Sequence, residues 1–114
     1  MGVTDPDHML NKILDNVLAW KLRGENALRA AGVPYTIVRP GGLSDGPAGV
    51  AGFKVMQGDP KVLGLTPRAD VAAILVNALG RKAALGKTFE VVGDEHGSPP
   101  DWDHFFDGLR ADGR

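Results

Sequence analysis

The sequence predicts an α/β domain, one half of a doubly wound parallel sheet with helices packed against it. Two observations carry that expectation. A helical run, a glycine stop and a β-prone run follow one another twice along the chain. Both β-prone runs read as strands buried on two faces, the pattern of a sheet covered by helices. Two such strands make a poor sheet by themselves, so the sequence reads as part of a larger one.

Taken in order, the first ten residues read as a loop, since Asp5-Pro6-Asp7-His8 is rich in turn formers. A helix is expected over 11–31, with Leu14, Leu18 and Leu22 stacked at a spacing of four and Val17, Trp20, Ala27, Leu28 and Ala31 beside them. Gly32 stands where a helix end accepts a left-handed residue, and Pro34 forbids continuation. Tyr35-Thr36-Ile37-Val38 is the first strand, ended by Pro40-Gly41-Gly42. Residues 43–64 form a glycine-rich stretch in which 53–56 and 61–63 read as short strands. Thr66 and Pro67 suit the N-cap and first turn of a second helix, with Val71, Ile74, Leu75, Ala78 and Leu79 on one face and Gly80 at its end. Residues 87–92 are the second core strand. The spacing of Trp102, Phe105, Phe106 and Leu109 predicts a short terminal helix.

Bulk properties exclude several classes. The 114 residues make one domain at most, able to bury roughly two thirds of the unfolded surface. Thirteen basic side chains face fourteen acidic ones with neither sign in a block, so no phosphate-tracking surface is expected and nucleic acid is not an expected partner. The longest apolar run, Val71 to Val76, is too short to span a bilayer, and no signal pattern opens the chain. A membrane is therefore not an expected partner either, and a cytoplasmic location is the default expectation. Without cysteine there is no thiol chemistry.

Residues 20–43, from Trp20-Lys21-Leu22-Arg23-Gly24-Glu25 through Ala31-Gly32-Val33-Pro34-Tyr35 to Arg39-Pro40-Gly41-Gly42-Leu43, resemble the atypical short-chain dehydrogenase/reductases. These are the NAD(P)-binding proteins of the NmrA-like and biliverdin-reductase-B-like group. Pro67-Arg68-Ala69-Asp70-Val71-Ala72 and Lys87-Thr88-Phe89-Glu90-Val91-Val92-Gly93 agree with the same family in the same order. Met1 to Lys12 resembles the loop after that family's fifth strand.

The resemblance implies a Rossmann-like sheet of which this chain is the C-terminal half, without the Gly-rich first βαβ unit. It implies one partial domain over 1–114: a helix and strand with a nicotinamide-side loop (1–43), a loop-rich segment (44–65), and a helix–strand–helix (66–114). NADP or NAD is the implied cofactor, and a small molecule the implied substrate. In the family's catalytic Tyr-x-x-x-Lys pair, Lys21 falls on the lysine that contacts the nicotinamide ribose, while Val17 occupies the tyrosine position, so the proton donor is missing. Pro40, Gly41, Gly42 and Leu43 fall on the loop whose backbone lies near the nicotinamide, where glycines permit close approach of a ligand. Arg68 is expected either at the rim of the site or on the surface. Two functions follow: the nicotinamide and substrate side of an oxidoreductase, or a non-catalytic remnant acting through self-association as a homo-oligomer or through protein interaction.

Other signals have plainer readings. Gly46-Pro47-Ala48-Gly49-Val50-Ala51-Gly52 has the spacing of a pyrophosphate turn but no strand runs into it and no helix leaves it, so a loop is expected. Gly86-Lys87-Thr88 lacks the leading glycine of a phosphate loop, because position 81 is Arg81. Arg39 and Asp70 are expected to form a buried, structural ion pair. Asp101, Asp103, His104 and Asp107 read as a solvated face, His8 and His96 as loop residues, and Tyr35 as core.

Overall fold

A computed structural model of the chain describes residues 4, 17–46, 52–60 and 64–112. Residues 47–51 of the loop expected at 46–52, the strand expected at 61–63, residues 11–16 of the expected first helix and most of the opening loop lie outside them.

Helix α1 (Val17–Ala30) ends at Gly32, whose φ of +74° is the left-handed geometry expected there. Its inner face differs from the expected leucine stripe. Leu18 is buried and Leu22 half-buried, but Glu25 and Arg29 continue that face, while Trp20, Ala27 and Leu28 lie exposed. The Arg23 guanidinium stacks 4.6 Å from the Trp20 ring centre, which keeps that exposed indole partly covered.

Strand β1 (Thr36–Pro40) follows, then β2 (Gly42–Ser44), β3 (Gly52–Met56) and β4 (Leu65–Pro67). Helix α2 (Arg68–Ala78), a 3-10 turn (Lys82–Ala84) and β5 (Lys87–Asp94) complete the regular elements. β1 and β5 pair in parallel from Thr36↔Lys87 to Pro40↔Val91, the direct pairing expected of the two core strands. β3 adds to the other side of β5 in antiparallel sense, making a mixed sheet in the order β1-β5-β3. β2 and β4 form a separate parallel pair across the carboxyl end of that sheet.

The two faces of the sheet differ in chemistry. On one, Phe89 and Val91 are fully buried against Ile74, Ala78, Ala84 and Phe106, with Val38, Phe53 and Val55 at the margin. Aromatic edges fit there: Phe89 meets Phe106 at 6.1 Å and Phe53 meets Phe105 at 6.0 Å between ring centres. On the other, α1 covers Arg39, Glu90 and Thr88.

Three local expectations change. Thr66 does not cap α2; it belongs to β4, is fully buried, and its hydroxyl lies 3.5 Å from the Val91 carbonyl oxygen, leaving Pro67 at the cap position. Pairing with β2 holds Thr66 extended, and tertiary contact overrides the capping preference. Residues 102–108 are successive turns where a helix over 102–109 was expected, closed by bonds from His104 N to the Asp101 carbonyl, Asp107 N to His104 and Leu109 N to Phe106. The apolar spacing is satisfied all the same, with Phe106 fully buried. β1 buries alternate residues only, whereas β5 is buried on both faces along most of its length.

The end of the chain is strapped onto β5 beyond the point where β3 stops. Ala111 bridges Lys87, and the Gln57 side chain receives Arg110 N–H at 2.9 Å while donating to the Arg110 and Thr88 carbonyls. Asp112 accepts from Thr88 Oγ1 (2.7 Å), Tyr35 OH (2.8 Å) and Arg29 Nε (3.1 Å) through one oxygen. Tyr35 is thus the core residue its strand position suggested, with its hydroxyl satisfied. None of the described helices is long and apolar enough to cross a membrane.

Candidate functional site

Open α/β sheets hold ligands beyond the carboxyl ends of their strands. There, where β1 and β5 end and β2 and β4 cross over them, a cavity of about 700 Å³ opens. Ser44 of β2, Gly64, Leu65 and Pro67 at β4, Asp70 in the first turn of α2, and Gly93, Asp94 and Glu95 at the end of β5 line it. The volume lies within the range of pockets for drug-sized ligands, ~300–1,000 Å³.

Each expected site residue has a definite place. Pro40 is the last residue of β1, and Gly41 and Gly42 carry the chain from β1 into β2. Gly41 N–H donates to the Val91 carbonyl and Gly42 N–H to that of Gly64, both at 2.9 Å, and Leu43 is half-exposed beside the cavity-lining Ser44. Lys21 is exposed on α1 and does not line the cavity. Arg68 opens α2 and is exposed, its guanidinium against Asp45 of the same rim.

The glycines have a reason that ligand approach did not supply. A Cβ at Gly41 would lie 2.7 Å from Val92 Cγ1 and 3.0 Å from the Gly64 carbonyl oxygen; one at Gly42 would lie 2.8 Å from Leu65 Cδ2. They are small because β4 and β5 press against them. Gly93 and Gly64 stand on the same seam, where a Cβ would meet the Leu65 carbonyl at 2.8 Å and Val92 Cβ at 3.0 Å. The floor of the cavity is a place where backbones touch.

Asp70 and Arg39 are not partners. Asp70 faces the crevice, whereas Arg39 points to the α1 side of the sheet. The Arg39 guanidinium donates to Glu25 through Nε (3.1 Å) and a terminal nitrogen (2.7 Å), and to Glu90 at 2.8 Å, with Asp59 at 3.7 Å. Burial alone would lower its pKa, but the bonds and charges of Glu25 and Glu90 outweigh burial and raise it. This ion network is structural, as expected, with different members. Glu90 Oε2 is buried there without a hydrogen-bond partner among the described residues.

A smaller cavity of about 400 Å³ lies on that same side, lined by Arg29, Arg39, Gln57, Thr88, Arg110 and Asp112. Arg29, Thr88, Gln57 and Asp112 already satisfy one another, so this hollow is a clamp. On the turns at 102–109, His104 Nδ1 meets Asp101 Oδ2 at 2.8 Å, and both are exposed. Hydrogen bonding from Asp101 pushes the His104 pKa up, and the reciprocal bond lowers that of Asp101.

Sequence reasoning missed Leu65, Asp70, Gly93 and Asp94 as lining residues. The available signals were the two family blocks that hold Asp70 and Gly93; Asp70 was assigned to a structural ion pair and Gly93 to no role.

The comparisons agree with this architecture. The sequence profile of the NAD(P)H-binding family matches residues 1–82. Sanguinarine reductase of Eschscholzia californica is 42% identical over 95 residues, covering 80% of this chain and 35% of the reductase. A chloroplastic protein of Arabidopsis thaliana, At2g37660, is 37% identical over 102 residues, covering 86% of this chain and 31% of its own length. The chain therefore spans about a third of these relatives. Among solved structures, a putative NAD-dependent epimerase/dehydratase from Bacillus halodurans superposes with a TM-score of 0.74 at 29% identity, over 87% of this chain and 44% of that one. A parallel core pair, a crevice at its carboxyl end and a profile match over most of the length meet in one conclusion: the chain belongs to the NAD(P)H-binding family, with the atypical short-chain dehydrogenase/reductase-like fold in part.

Proposed function

We propose that this chain supplies the nicotinamide and substrate side of an NAD(P)-dependent oxidoreductase site. The observation that carries the reading is the cavity beyond β1 and β5, bordered by the β1–β2 turn where the family resemblance expects the nicotinamide. The name of one relative, sanguinarine reductase, supports a reductive reaction on a small organic molecule.

The nicotinamide would supply the hydride; the protein supplies orientation. In this reading Lys21 binds the ribose hydroxyls from α1, and the Gly41–Gly42 backbone, held by its bonds to Val91 and Gly64, fixes one wall for the ring. Arg68, tied to Asp45, borders the rim. Val17 stands four residues before Lys21, so no proton is delivered from that position. Titration with NADPH while following Trp20 fluorescence, one residue from Lys21, tests the reading. Saturable quenching is expected, and none up to millimolar cofactor would sink it.

A second reading rests on a separate observation. Leu75 and Val76 on α2 and Leu79 at its C-cap expose 47%, 66% and 78% of their surface, beside a sheet whose β1 edge is unpaired among the described residues. Such surface favours association, with or without catalysis. Light scattering at two concentrations separates the readings: a strictly monomeric, folded chain removes the second.

A further inference from the structure

We infer that the β2–β4 ribbon is the bed for a small aryl ketone or aldehyde. The ring lies on Leu65 and Pro67, and the Ser44 hydroxyl donates to the carbonyl oxygen. This rests on reading the cavity beyond β1 and β5 as the substrate side of a reductive site. The register of the ribbon puts these side chains on one face. Gly42 is matched with Leu65 and Ser44 with Pro67, and side chains two apart along a strand point the same way. Leu43 and Thr66, matched between them, take the opposite face, where Thr66 is fully buried toward the Val91 carbonyl. Ser44, Leu65 and Pro67 all line the cavity. Gly46 lines it too, and a Cβ there would lie 3.7 Å from Ser44 Oγ.

The backbone beneath this face is held tightly. A Cβ on Gly42 would lie 2.8 Å from Leu65 Cδ2, and one on Gly93 would lie 2.8 Å from the Leu65 carbonyl, so β4 is pressed between β2 and β5. The Leu65 side chain nevertheless leaves 65% of its surface exposed at the cavity. Small-molecule sites pair such apolar wall with a few polar groups that fix orientation. Ser44 carries the one hydroxyl among the described lining residues, and it forms no hydrogen bond among the described residues. The other polar side chains of that lining are carboxylates, which only accept when ionised, so Ser44 is the side chain able to donate to a carbonyl. Gly42 and Ser44 stand roughly 7 Å apart on the same face. A carbonyl held by Ser44 therefore sits beside the wall proposed for the nicotinamide.

Acetophenone and α-methylstyrene share one shape and differ only in C=O against C=CH2. Each is titrated into the full 114-residue chain and followed by the amide shifts of Ser44, Leu65 and Gly93 in two-dimensional NMR. Both should give saturable shifts there. Ser44→Ala should weaken acetophenone by about fivefold, the loss of one neutral hydrogen bond, and leave α-methylstyrene unchanged. Ser44→Thr keeps the hydroxyl, suits a strand, and should retain the acetophenone affinity. Leu65→Ala removes apolar wall and should weaken both compounds by about fivefold or more. Unchanged distant shifts report the fold of each variant. Acetophenone binding that survives Ser44→Ala intact, an equal loss of both compounds in that variant, or a loss in Ser44→Thr as large as in Ser44→Ala overturns the inference. So does indifference to Leu65→Ala, or no saturation by acetophenone. NADPH titrated into the same sample keeps the two failures apart: acetophenone binding without NADPH binding removes the oxidoreductase reading alone, and the reverse removes the ketone bed alone.

Discussion

Arg39 grips Glu25 through two of its nitrogens, at 3.1 and 2.7 Å, and so ties β1 to α1 across 14 residues of chain. The same guanidinium reaches Glu90 on β5, its register neighbour. Helix, edge strand and central strand thus meet at one buried cation. Truncating it leaves the buried Glu90 carboxylate without its cation, while Glu25 keeps Arg29.

Arg39→Ala should lower stability by about 3–5 kcal/mol, the usual cost of breaking a buried pair on one side. Arg39→Met combined with Glu90→Leu removes both charges and should cost much less, since Glu25 keeps Arg29 at 3.4 Å. Urea denaturation of the two variants makes the comparison. Equal losses would show that packing around Arg39, not charge, holds α1.

The strap at Asp112 predicts a pH dependence. Burial tends to raise this carboxyl's pKa, but bonds from Thr88, Tyr35 and Arg29 prevail and hold it below the ordinary range. A folded pKa below the unfolded value, about 3.9, means stabilisation fully present above that pH and lost as pH falls through the folded pKa. Asp112→Asn should therefore melt lower than the parent at pH 7, and the gap should close below about pH 4. A gap independent of pH would assign the strap to its backbone bonds.

Two glycines should respond in opposite senses. Gly41→Ala places a Cβ 2.7 Å from Val92 Cγ1 and 3.0 Å from a backbone carbonyl, and should cost about 1–3 kcal/mol by overpacking. Gly24→Ala, inside α1 with nothing within 4 Å among the described residues, should gain about 0.5–1 kcal/mol. Thermal melts decide both. A neutral Gly41→Ala would return that glycine to a role in ligand approach.

Lys21 is exposed on α1, so Lys21→Ala should change stability by less than about 0.5 kcal/mol. If it holds the ribose, the same change should weaken NADPH by roughly tenfold or more, the loss of a charge-assisted bond. Equal NADPH affinity with and without Lys21 would remove it from the site.

The parts of this fold that announce themselves in the sequence are those set by local pattern. Gly32 marks the end of α1, and the runs at Tyr35 and Lys87 become the parallel pair because each is β-prone, apolar and preceded by a glycine turn. Pairing between distant short segments leaves no such trace. β2 and β4 are three residues each, so neither shows a period, and their contact commits Thr66 to a strand instead of a helix cap. The spacing of Trp102, Phe105, Phe106 and Leu109 fits consecutive turns as well as a helix, because both return a side chain every three or four residues. Arg39 was matched with Asp70 by position along the chain. The alternation of a strand instead turns Arg39 toward α1, while Asp70 lies at the crevice. The lining of the cavity was illegible for the same reason: Leu65, Asp70 and Asp94 converge only once β4 has crossed the end of β5.

The most direct measurement is an amide-resolved NMR titration of the 114-residue chain with NADPH. Shifts concentrated at Lys21, Gly41, Gly42, Leu43 and Ser44 and absent from Arg29, Thr88 and Asp112 are the expected result. Shifts gathered instead around the Arg29 and Arg110 hollow, or none up to millimolar NADPH, would contradict a nicotinamide-side role for the crevice.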